Sequence, residues 1–166
     1  MNLIPFFIDL TFEGEECRCP TCPVKTIHLG YKGPSGLVKY DYDAAEEGWA
    51  LASEWVCSFK KNGFIVPVGW DLRPVVWPAF TMNLARAQRP LPHGFLMPLE
   101  KRWNDLQMAD LSSVVVQSGY SDWKPSLGKA AAFFRIGIPE NCENAEMVAM
   151  YGLYCAYRDA CAEDLR

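Results

Sequence analysis

The chain has 166 residues, half of them hydrophobic, and is rich in Phe, Tyr and Trp, so one domain with a sizeable core is expected. A formal charge of −4 argues against bulk electrostatic binding of nucleic acid, while leaving room for a local basic groove. No apolar run approaches the ~20 residues that span a membrane, and Asp9 and Glu13 arrive too early for a signal peptide.

Residues 3–10 are apolar and aromatic and predict a buried strand. Residues 13–23 form an acidic loop rich in Cys and Pro. Thr26–Tyr31 and Leu37–Tyr42 alternate in polarity around the turn residues Gly33-Pro34-Ser35-Gly36, which predicts a hairpin. Asp43 and Glu46 have the spacing of a capping box, opening a helix to about Lys61 that Asn62-Gly63 ends. Its buried face is expected on Leu51, Trp55 and Phe59.

Phe64–Val68 predicts a further buried strand, and residues 74–88 a helix with Pro74 in its first turn. Residues 89–104 read as a long surface loop, and residues 105–116 as a helix or strand ending in Val114-Val115-Val116. Ser126–Phe134 and Asn144–Leu165 complete the chain as helices. The order predicts a mixed α/β domain spanning 1–166.

Four segments recur in a telling order. A strand ends on an acid at Phe6-Phe7-Ile8-Asp9. Gly69-Trp70-Asp71-Leu72-Arg73-Pro74-Val75-Val76-Trp77-Pro78 follows, then Asp105-Leu106 and Asp110-Leu111, and last Tyr154-Cys155-Ala156-Tyr157-Arg158-Asp159. This order resembles the DEDD-type 3′→5′ exonucleases. The Ser126-Leu127 helix and Gly137-Ile138-Pro139 are similar too.

The resemblance implies a ribonuclease H-like mixed sheet flanked by helices. It also implies Mg²⁺ or Mn²⁺ held by acids, which activate water and stabilise the leaving oxygen. Asp9 matches the first acid of the family's Asp-x-Glu, but Thr11 stands in place of the Glu. Glu13 would compensate only through a distorted strand. Asp71 falls on an Asn position of the second motif, and Val76 on its catalytic Asp. In the last motif, a match to Asp159 puts Cys155 in place of the Tyr, whereas a match to Tyr154 puts Arg158 in place of the acid. The catalytic set that the resemblance offers is therefore Asp9, Asp71, Asp159 and Glu13, an eroded one.

A second cluster lies in the loop. Cys17, Cys19 and Cys22 crowd six residues, with His28 beyond them. Three thiols and an imidazole suit a closed, structural Zn²⁺ site; free thiols are the plain alternative. An odd total of seven cysteines fits a reducing, cytoplasmic setting. Arg86, Arg89, Lys101 and Arg102, with Trp70, Trp77, Phe95 and Trp103, suit a rim for single-stranded nucleic acid or for a protein.

The leading expectation is an exonuclease-like domain that binds nucleic acid, a nucleic-acid-processing protein or a nucleoprotein complex, without cutting it. Size and charge would suit a phage or mobile-element product that interferes with a host nucleoprotein. An active two-metal exonuclease, a zinc-stapled interaction module and an unrelated α/β domain with chance matches are the alternatives.

Overall fold

Alternation along the first strand divides its side chains between two cores. In the computed structural model, which describes residues 3–14, 16, 18–59, 64–90, 109–112 and 126–164, β1 spans Leu3–Phe12. Its Phe6, Ile8, Leu10 and Phe12 enter one apolar cluster and Phe7 the other. That period of two is what a strand covered on both faces requires.

β2 (Val24–Gly33) and β3 (Gly36–Asp43) form the expected hairpin, longer at both ends than the alternation indicates. β2 pairs antiparallel with β1. β4 (Phe64–Gly69) lies parallel to β1, and the short β5 (Ala109–Asp110) parallel to β4. The sheet order is β3-β2-β1-β4-β5. This is an α/β domain with a mixed sheet flanked by helices, compatible with the ribonuclease H-like fold.

One face carries α1 (Glu46–Phe59) and α2 (Trp77–Arg86), whose Trp49, Ala52, Val56, Ala79, Phe80 and Leu84 are buried with the β1 aromatics. Leu51 is 40% exposed, so the face expected from Leu51 is corrected to Trp49, Ala52 and Val56. The helix is rotated because Trp49 has Phe80 to pack against. Trp55 stays at the margin, against Phe6, Tyr31 and Tyr40.

The other face carries α3 (Leu127–Phe133) and α4 (Ala145–Asp164). Ser126 caps α3 by accepting a hydrogen bond from the Lys129 amide at 3.3 Å. Met147, Met150, Leu153 and Tyr154 of α4 cover Phe7, Val66 and Val68. Among the described residues, no helix is long and apolar enough to cross a membrane.

The predicted helix at 74–88 begins differently. Leu72–Val76 forms a π turn before α2 starts at Trp77. Asp71 precedes it in the left-handed region at φ 50°, ψ 36°. Its carbonyl oxygen accepts from both the Val75 and Val76 amides at 3.1 Å. Asp tolerates this conformation better than most residues, and π turns concentrate where a backbone is bent to aim a side chain.

Candidate functional site

Asp9 lies on the α4 face of β1, two residues beyond Phe7, and its side chain is 20% exposed. Asp71 reaches the neighbouring strand end through its left-handed turn. Between them sits Arg18, from the loop after β1. Arg18 Nη2 donates to Asp9 Oδ1 at 3.2 Å and to the Trp70 carbonyl oxygen at 3.3 Å. Its Nε lies 3.5 Å from Asp71 Oδ2. The Leu10 amide also donates to Asp9 Oδ1, at 2.9 Å. One guanidinium thus joins two acids and a backbone carbonyl, a use to which its forked donors are suited.

The other expected acids are elsewhere. Glu13 is exposed beyond the end of β1, where its amide donates to the Pro23 carbonyl oxygen at 2.8 Å. Asp159 is 69% exposed and pairs with its neighbour Arg158 at 3.2 Å. It lies roughly 18 Å along α4 from Met147, at 1.5 Å rise per residue. Val76 is fully buried with Phe6, Ile8 and Leu10, on the sheet face opposite Asp9. Asp105-Leu106 lies outside the described residues, as do Phe95, Lys101, Arg102 and Trp103. Trp70 is buried in the α4-side core, which leaves it little surface for a ligand.

The donor set does not fit a pair of divalent ions. Such ions need several carboxylate oxygens converging on them. Here Thr11 supplies a neutral hydroxyl, Val76 supplies methyl groups, and Asp9 and Asp71 already share a cation of the protein's own. Among the described residues, no group of three His, Cys, Asp or Glu side chains is placed to hold a metal.

The cysteine loop divides in the same way. Cys22 is buried in the α1-side core and is disulfide-bonded. Cys19 packs against that core, with its sulfur 3.3 Å from the Thr21 hydroxyl. That hydrogen bond, with further ones from the Thr21 and Cys22 backbone, draws the Cys19 thiol below its ordinary value despite slight desolvation. Cys17 is outside the described residues. His28 points to the other face of the sheet, opposite Asp9 in the β1–β2 register, so the structure does not bring it to Cys19 and Cys22.

His28 has other partners. Its Nε2 is 2.7 Å from the Thr11 hydroxyl, and its Nδ1 is 2.6 Å from Asp41 Oδ1. Lys39 Nζ is 3.3 Å from the same Asp41 oxygen. Partial burial raises the Asp41 carboxyl, but hydrogen bonds and charge from His28 and Lys39 outweigh it and hold the group below its ordinary value. An ionised Asp41 accepts the Nδ1 proton, so in neutral His28 the other nitrogen accepts from Thr11.

A cleft of about 260 Å³ adjoins this row. Phe7, Met147 and Met150 give it an apolar lining, and Asp9, His28, Lys39, Glu143 and Glu146 give it polar groups. Sequence reasoning missed Arg18, Asp41 and the two glutamates. One of these had a usable signal: equal steps outward from the Gly33–Gly36 turn bring His28 opposite Asp41, as observed.

The mixed sheet flanked by helices defines an α/β domain compatible with the ribonuclease H-like fold. No known family model matches the chain, and no curated protein shows significant sequence similarity to it.

Proposed function

We propose that this domain is an exonuclease-like scaffold that docks onto a nucleic acid or nucleoprotein target without cutting it. The observation that supports this reading is Arg18. Its guanidinium bridges Asp9 and Asp71, the two acids best placed for a cation, and supplies positive charge there without Lewis acidity or a water to activate. Removing carboxylates from such a site removes the electrostatic stabilisation on which phosphoryl chemistry depends. The net charge of −4 and the acids around the cleft favour a protein component of the target over bare nucleic acid.

The test is incubation of 5′-labelled single-stranded DNA and RNA with Mg²⁺ or Mn²⁺, with Asp9→Ala alongside, and a binding titration on the same strands and on a nucleoprotein. The expected result is no shortening by either protein, and salt-sensitive association with the nucleoprotein. Stepwise shortening by the wild type that Asp9→Ala abolishes would establish the competing reading, an active exonuclease.

A further inference from the structure

We infer that Thr11, His28 and Asp41 form a hydroxyl–imidazole–carboxylate relay able to accept an acyl group from a small ester. The two hydrogen bonds, 2.7 Å from Thr11 Oγ to His28 Nε2 and 2.6 Å from His28 Nδ1 to Asp41 Oδ1, join the three groups in the order that nucleophilic catalysis requires. The arrangement is recognised by geometry, and three adjacent strands supply it. The β1–β2 register sets Thr11 diagonally across from His28, and the β2–β3 register sets His28 opposite Asp41.

The roles follow from the bonding. Asp41 is the positioning residue: it fixes the imidazole with its proton on Nδ1, leaving the Nε2 lone pair toward the hydroxyl. Thr11 is exposed at the surface, and His28 itself lines the adjoining cleft. Phe7, Met147 and Met150 suit a short apolar acyl chain there, whereas Asp9, Glu143 and Glu146 disfavour an anionic substrate. The substrate class is a short-chain carboxylic ester, neutral or cationic.

In the reaction Thr11 Oγ bonds to the ester carbonyl carbon while its proton passes to His28 Nε2. The carbon–alkoxy bond breaks, and the departing alcohol takes that proton. Water then repeats the sequence on the acyl-threonine, releasing the acid and restoring the hydroxyl. A fluorophosphonate probe halts after the first half: the Oγ–P bond forms, the P–F bond breaks, and fluoride leaves with the proton.

The experiment is intact-mass and peptide mapping of the full chain after fluorophosphonate treatment, with p-nitrophenyl acetate and butyrate turnover measured in parallel. Wild type is expected to carry one adduct, on Thr11. Thr11→Ser retains labelling, Thr11→Val abolishes it, and His28→Gln and Asp41→Asn slow it at least tenfold. Thermal melting identifies any variant that fails to fold. Should His28→Gln do so, the near-isosteric Thr11→Val and the conservative Thr11→Ser decide the matter. No adduct on wild type, an adduct on another residue, or Ser and Val variants that behave alike would overturn the inference.

Discussion

Arg18 donates to Asp9 across the end of β1, at 3.2 Å, from a loop whose composition points to cysteine chemistry. The same side chain extends to Asp71, on the turn after β4. Two acids from distant parts of the sequence therefore share one positive charge, and the domain carries its own cation where the scaffold concentrates negative charge.

Arg18→Ala should free Asp9 and Asp71 for a divalent ion. Titration calorimetry with Mn²⁺ is expected to show binding by the variant at concentrations where wild type shows none. Adding Asp9→Ala should remove it. The fold should lose less than about 1 kcal/mol, because all three side chains are partly exposed and exposed ion pairs contribute little.

Val76→Asp would place at that position the acid that the exonuclease resemblance expects, without creating a site. Val76 is fully buried among apolar side chains. An unpaired carboxylate there should destabilise by about 3–5 kcal/mol. Urea denaturation measures the loss, and strand degradation with Mn²⁺ should stay at background.

Gly69→Ala tests how the Asp71 turn reaches β1. A Cβ at Gly69 would lie 2.7 Å from the Ile8 carbonyl oxygen and 3.1 Å from Leu72 Cδ1. Relief requires the two strands to separate, with an expected cost of about 1–3 kcal/mol. The denaturation midpoint should fall accordingly.

Asp41 should give stability a dependence on acid pH. Its carboxyl titrates lower in the fold than in the unfolded chain. The contribution is thus present above the ordinary aspartate range, near about 4, and is lost as pH falls through the lower folded value. The side chain is half exposed, so the effect should stay below about 1 kcal/mol. Urea midpoints measured from neutral to acid pH should fall less steeply for Asp41→Asn than for wild type.

The sequence by itself determined the elements whose signals are local. A continuous apolar and aromatic run defined the first strand and alternation the next two, turn chemistry at Gly33–Gly36 defined the hairpin, and Ser126 marked the start of a helix. The hairpin register even implied the His28–Asp41 pair, because backbone pairing on either side of a tight turn advances in equal steps. Tertiary structure alone decided which acids meet. Arg18 joins Asp9 to Asp71 only because β4 lies parallel to β1 and a left-handed residue turns the chain back beside it. Likewise, Cys22 and His28 are near in sequence yet lie on opposite faces of the sheet. Spacing along a chain carries local geometry, whereas convergence of charges depends on packing between segments far apart in sequence.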